Sequence, residues 1–233
     1  MAPWLDAVEL SWGNGGCVVR TGRAWIFNGG WLGHRPQEVG AMVAEELRGE
    51  GFAVESFDRL DVLADSERLA SVDLLVPNWT MGEIGDAELA ALTQAVRAGT
   101  GIAGLHGGMG DAFRCRPAYQ WMVGGQFMGH PGGEIPYSVH IVDPSHPLTR
   151  GMKDFTVVTE QYYMLVDPAN QVLATTRFAD VVMPVAWTKT FGQGRVFYCS
   201  LGHSPEIVSQ EPIRTLMRRG MLFATRREGE AGR

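Results

Sequence analysis

The sequence is short of cysteine, of long apolar runs and of positive charge. Its three cysteines, Cys17, Cys115 and Cys199, are scattered along the chain. They suit neither a disulfide framework nor zinc-ribbon spacing, so a reduced, cytoplasmic setting is the default expectation. No apolar run reaches the roughly 18 residues of a membrane span. The N-terminus lacks the basic and apolar regions of a signal peptide. Lys and Arg total 20 against 26 Asp and Glu, a net charge of −6, which leaves no electrostatic footprint for nucleic acid. The expected partner is a small molecule, with no nucleic acid and no membrane.

What the chain does have is a globular composition, 45% apolar, and 30 glycines, many of them beside histidines. Its 233 residues read as one domain spanning 1–233. Residues 1–22 show no clear period and read as an irregular N-terminal arm. Residues 228–233 are expected to fray. The most informative stretch is 99–111, G-T-G-I-A-G-L-H-G-G-M-G-D. A short apolar run stops at His106, and glycines flank it. Gly104, His106 and Gly108 fit the G-x-nucleophile-x-G spacing of a strand-to-helix elbow. Such a turn is so sharp that its neighbours need to lack a Cβ. It would hold His106 at the carboxyl end of the sheet, where open α/β folds bind ligands. A histidine stands where the nucleophile would be, so the covalent chemistry of that motif is not expected.

The rest of the chain alternates short apolar strands with helical stripes. Residues 23–28 (R-A-W-I-F-N) read as the first core strand. The glycine-rich turn after it, ending at His34, could cradle an anion at a helix N-terminus, but no G-K-[ST] makes it a P-loop. Pro36 suits the first turn of a helix carrying Val39, Met42, Val43 and Leu47. Residues 52–57 alternate as a second strand. Residues 74–76 form a buried third, with Pro77, Asn78 and Trp79 at its carboxyl end. Asp86 is the expected cap of a helix with Leu89, Leu92 and Val96. This order predicts an α/β fold: a mostly parallel central sheet with helices on both faces. Past the elbow, 114–123 read as a helix, and 135–142, 155–159 and 172–175 as strands. Residues 185–190 and 195–199 flank F-G-Q-G as an antiparallel hairpin. Pro212 opens a C-terminal helix.

Several motifs then agree: G-L-H-G-G at 104–108, W-M-V-G-G-Q-F-M-G-H-P at 121–131 and D-P-S-H-P-L-T-R-G at 143–151. T-E-Q-Y-Y at 159–163, P-V-A-W-T-K-T-F-G-Q-G-R-V-F-Y at 184–198 and L-G-H at 201–203 complete the set. In order and spacing they resemble the ThuA-like family, named for trehalose utilisation, within the class I glutamine amidotransferase-like fold. The resemblance implies a flavodoxin-like sandwich with an elbow after a central strand, and a substrate neighbourhood of disaccharides such as trehalose. Amidotransferase relatives carry a cysteine at the elbow. Here it is His106, so glutamine amidase activity is not expected.

The candidate chemistry centres on His106, Glu160 and His203, each just beyond or at the end of an expected strand. A His/Glu/His set suits acid–base relay or a divalent ion such as zinc with an open position for water. The bland alternative is a strand-capping histidine, a surface glutamate and a loop histidine. His34, Trp79, Gly107, Gly108, His130 and Tyr162 are the expected substrate-binding residues. For His130 the alternative is a turn residue before Pro131, and for the two aromatic rings it is core packing. His140 reads as a strand histidine and His146 as part of a turn. Cys199 reads as an inert buried thiol. Two functional readings follow: an enzyme on a disaccharide or keto-sugar, or a non-catalytic sugar-binding or scaffold protein that lacks the nucleophile. A homo-oligomer is the default assembly.

Overall fold

The computed structural model describes residues 10–13, 16–19 and 21–225. In the arm expected to be irregular, β1 (Leu10–Gly13) and β2 (Gly16–Val19) pair as an antiparallel hairpin. The tail expected to fray lies outside the described residues. The body runs β3 (Arg23–Gly30), α1 (Pro36–Gly49), β4 (Ala53–Phe57), α2 (Ser66–Ala70), β5 (Leu74–Thr80), α3 (Asp86–Arg97) and β6 (Gly101–Leu105). There follow α4 (His106–Gly110), α5 (Pro117–Val123), β7 (Gly125–Gly129), β8 (Glu134–Ile141), β9 (Phe155–Glu160) and β10 (Tyr163–Val166). The chain closes with β11 (Gln171–Phe178), β12 (Val181–Phe191), β13 (Gly194–Cys199), α6 (Pro205–Val208) and α7 (Glu211–Ala224).

The main sheet has nine strands in the order β4-β3-β5-β6-β13-β12-β11-β8-β9. Neighbours from β4 to β13 are parallel. Neighbours from β13 to β9 are antiparallel. The sheet expected to be mostly parallel is therefore mixed. The cause is the β12–β13 hairpin: a tight turn joins antiparallel strands only, whereas parallel neighbours need a long crossover. β11 joins β12 through a second tight turn, and β8 and β9 extend the antiparallel part from earlier in the chain.

The inner parallel strands β3, β5, β6 and β13 are largely apolar on both faces, as a doubly covered sheet requires. Ala24, Ile26, Leu74, Val76, Ala103, Leu105, Phe197 and Cys199 face one core with Val39, Val43 and Leu47 of α1 and Ile213, Leu216 and Met217 of α7. Trp25, Phe27, Leu75, Ile102, Val196 and Tyr198 face the other with Leu92 and Val96 of α3 and Tyr119 and Met122 of α5. This period-2 split follows from the pleat. Each fully buried large side chain contributes about 1.5–3 kcal/mol relative to exposure.

Two helix starts differ from expectation. Gly85, not Asp86, is the N-cap of α3; Asp86 sits in the first turn, where its charge suits the helix dipole. The helix expected over 114–123 begins only at Pro117. Phe113 has turned the chain first, with φ +51, and Pro117 then presets the helical φ. The glycine-rich stretch after α5 holds β7, which pairs with β10 in a small sheet of its own. Among the described residues, no helix is long and apolar enough to cross a membrane.

Candidate functional site

The elbow forms as its glycines predict. His106 ends the β6 strand and opens α4 with φ +45, a left-handed conformation that costs a non-glycine residue about 1–3 kcal/mol. The flanking glycines are required by close approach. A Cβ on Gly104 would lie 2.5 Å from Met109 Cβ and 3.0 Å from the Pro77 carbonyl oxygen, and one on Gly108 would lie 2.8 Å from Asn78 Oδ1. Strain at a position so tightly packed on both sides is the mark of a residue held for use.

Three parallel strands deliver histidines to one place. His34 lies in a single 3-10 turn after β3, His106 at the elbow after β6, and His203 in the loop after β13. Glu160 comes from β9 at the far edge of the sheet. It reaches the cluster because β8 overhangs: only His140 and Ile141 pair with β11, while residues 134–139 carry β9 outward. One ligand atom from each of His34, His106, Glu160 and His203 lies within 4.8 Å of the others. Glu160 Oε2 is the hub, 3.0 Å from His106 Nε2, 3.3 Å from His203 Nδ1 and 3.9 Å from His34 Nε2.

The outer nitrogens of these rings are held as well. His106 Nδ1 donates to the Ser200 carbonyl oxygen at 2.7 Å. A carbonyl only accepts, so Nδ1 carries the proton and the lone pair of Nε2 points into the cluster. His34 Nδ1 pairs with Thr80 Oγ1 at 2.8 Å, which leaves His34 Nε2 facing Glu160. His203 Nε2 lies 3.6 Å from Glu134 Oε1. An outer partner that fixes tautomer and ring angle is what metal-binding histidines have. Tyr162 stacks on the His106 ring at 4.1 Å between centroids, and its hydroxyl donates to His106 Nε2 at 2.7 Å.

Burial pushes the His106 imidazole down to about 4, against the pull of Glu160, so the ring is neutral at pH 7. Burial also disfavours the Glu160 carboxylate, but the surrounding imidazoles of His106, His203 and His34 outweigh that cost and hold the carboxyl far below its usual range. Hydrogen bonding to Glu160 raises His203, with burial opposing. A neutral Nε2 lone pair 3.0 Å from a carboxylate oxygen is an electrostatic mismatch. A divalent cation between them would resolve it, and the donor set of nitrogen and oxygen atoms suits zinc or a neighbouring transition metal. The residues therefore fit such an ion.

His130 Nε2 lies 3.5 Å from the other oxygen of Glu160, Oε1, and its Nδ1 is buried without a hydrogen-bond partner. Of the expected site residues, the structure thus brings together His106, Glu160, His203, His34, His130 and Tyr162. Gly107 and Gly108 are buried, the first against His34 and the second against Asn78. They position the site without exposing a surface to a ligand. Trp79 is not in the cluster. Thr80 turns toward His34, so Trp79, one residue earlier on the pleat, turns to the opposite face, packs on the α3–α5 core and covers Gly29. His140 pairs with Asp154 at 2.9 Å, apart from the site. Thr80, Ser200 and Tyr198, whose hydroxyl donates to the His106 carbonyl oxygen at 3.1 Å, were missed by sequence reasoning. The available clue was position, since Thr80 and Ser200 sit at the carboxyl ends of parallel strands.

A family model described as ThuA, trehalose utilisation, matches residues 23–224. No curated protein matches. A ThuA-like protein from Parabacteroides merdae is 17% identical, with a TM-score of 0.73 over 88% of this chain and 90% of that one. One from Bacteroides uniformis is also 17% identical, with a TM-score of 0.70 over 89% and 94%. A cytoplasmic protein from Salmonella typhimurium is 13% identical, with a TM-score of 0.62 over 88% and 100%. At these identities the likeness is one of fold.

Proposed function

The chain belongs to the ThuA family, and from that premise we propose a carbohydrate enzyme built around a divalent metal held by His34, His106, Glu160 and His203. The observation that carries this reading is the four-donor cluster within 4.8 Å, with His34 and His106 each held from behind by a hydrogen bond. The family's description, trehalose utilisation, supports a disaccharide as the substrate class. The parallel strands, ranked along the chain, lie in the order 2-1-3-4-5. That order supports the flavodoxin-like reading, and such sheets bind ligands beyond the carboxyl ends of their strands.

In such a set a bound zinc-type ion supplies Lewis acidity to a sugar oxygen or to water. The protein's own groups do the rest. Glu160 anchors the cluster with Oε2 and leaves Oε1 to His130. His130 thus braces the second oxygen of Glu160 beside the ligand set. His203 and His130 are its more exposed members, with side chains 15% and 37% exposed, so substrate enters on their side. Amidase chemistry is left out. The elbow carries His106, Cys115 is exposed on the loop before α5, and burial pushes the Cys199 thiol up to about 12.

Elemental analysis of the purified protein tests this. We expect about one divalent transition metal per chain, lost from Glu160→Gln and from His106→Asn with circular dichroism unchanged. A metal content of zero in the wild type after refolding with zinc, cobalt or manganese would sink the metal reading and favour sugar binding without turnover.

A further inference from the structure

The large apolar groups left exposed by the fold include one that stands beside the cluster. Trp31 is 47% exposed and Leu32, next to it, is 77% exposed. A tryptophan left half in water forfeits much of the burial its size offers, so its position asks for an explanation. Trp31 is also not loose. Its backbone N–H donates to the Thr80 carbonyl oxygen at 3.0 Å. Its ring meets His34 T-shaped, at 4.7 Å between centroids and 78° between planes. Gly33 lies beneath it, and a Cβ there would overlap the outer carbons of the indole. Gly30, at φ +76, has no Cβ to collide with the Thr80 carbonyl. The loop from β3 to His34 is thus shaped to hold one indole against one ligand histidine, with the rest of the ring facing out.

We propose that Trp31 is the sugar-stacking platform of this site, a specificity residue that takes the apolar face of a pyranose ring and sets it next to the His34/His106/Glu160/His203 cluster. The inference rests on the carbohydrate reading and adds a subsite to it. The alternating C–H face of a sugar ring packs on a flat aromatic face, while its hydroxyls stay at the rim for hydrogen bonding. The width of one imidazole separates Trp31 from Glu160, because His34 touches both. A sugar unit on the indole therefore puts its neighbouring unit, or its own far edge, at the cluster. Trp79, the more obvious candidate by sequence, faces the α3–α5 core and leaves this role to Trp31.

The test is titration calorimetry of trehalose, maltose and lactose into the metal-loaded protein, read alongside intrinsic tryptophan fluorescence. The variants are Trp31→Ala, Trp31→Phe and, as a control, Trp121→Ala, which removes a ring 60% exposed elsewhere on the surface. Trp31→Ala is expected to weaken binding of the preferred disaccharide about ten-fold. Trp31→Phe should recover most of that loss, and Trp121→Ala should change nothing. The ligand-induced fluorescence change should vanish in Trp31→Phe while metal content stays at the wild-type level. Equal affinity in the wild type and Trp31→Ala would overturn the Trp31 assignment and leave the carbohydrate reading standing. Absence of binding by all three sugars to the wild type would overturn both.

Discussion

The lone pair on His106 Nε2 is crowded by several neighbours, and the Tyr162 hydroxyl is the one that donates to it. The Tyr162 hydroxyl donates to it at 2.7 Å, Glu160 Oε2 faces it at 3.0 Å, and His203 Nδ1 lies 3.4 Å away. A metal would need that same lone pair. Burial holds the Tyr162 hydroxyl well above its ordinary range, so it keeps its proton and acts as a donor. Tyr162 therefore stabilises the metal-free cluster and competes with metal entry. Tyr162→Phe keeps the ring stacked on His106 but removes the donor. We expect the metal-free protein to lose about 1 kcal/mol in denaturant unfolding. Zinc affinity, measured by competition with a chelating dye, should rise several-fold. If affinity falls instead, Tyr162 supports the ion and does not compete with it. The sequence shows Tyr162 following a strand in T-E-Q-Y-Y, but nothing local says its hydroxyl would meet a histidine 56 residues earlier.

Among the elements, part of the site's precision comes from a helix that never touches it. Helix α7 packs on β13, whose carboxyl end leads to His203, and Gly220 is the point of contact. Its neighbour is Phe197, fully buried, and a Cβ at Gly220 would fall on the face of that ring. Replacing a mid-helix glycine by alanine gains about 1 kcal/mol of helix propensity. Forcing a methyl into a packed core costs about 1–3 kcal/mol. The clash wins, because Phe197 has no space to yield. Gly220→Ala is expected to lower unfolding stability by about 1 kcal/mol net, with zinc affinity unchanged since the site lies at the strand ends. A stabilised variant would show that β13 and α7 separate easily. The same level shows what could be read beforehand. The elbow was legible because its glycines are spaced for one turn, and β3, β5 and β6 because buried parallel strands are short apolar runs. The β7–β10 pair was not, since G-G-Q-F-M-G carries neither alternation nor β-branched residues. The overhang of β8 was not either, as register depends on partners far along the chain. That is why Glu160 could be proposed from the resemblance but not placed by periodicity. Trp79 faces away from the cluster for a simpler reason: a step of one residue on a pleated strand reverses the face.

For the molecule as a whole, a buried neutral histidine makes stability depend on pH. His106 titrates at 6.5 when unfolded and is pushed to about 4 in the fold, chiefly by burial. The unfolded chain therefore takes up the proton first as pH falls. The stability tied to keeping His106 neutral is fully present above 6.5. It drains away as pH drops toward about 4 and is constant below that. The gap from 6.5 to about 4 corresponds to about 3 kcal/mol. His203 runs the other way. Its pKa is raised through Glu160, so its contribution is complete below 6.5 and is lost as pH rises past its folded value. Glu160, held low by the three imidazoles, contributes above its ordinary value of 4.5 and keeps doing so far into acid. The windows of the two histidines lie on opposite sides of 6.5, so the metal-free protein should be most stable near that pH. Urea unfolding of chelator-treated protein between pH 4 and 8 measures this. The wild type should lose stability steeply from pH 6.5 to about 4, and His106→Asn, with no proton to gain, should lose about 3 kcal/mol less over the same interval. Parallel curves for the two proteins would mean that His106 is not the group that makes this fold acid-sensitive, and that its ring is charged or solvated in the metal-free state.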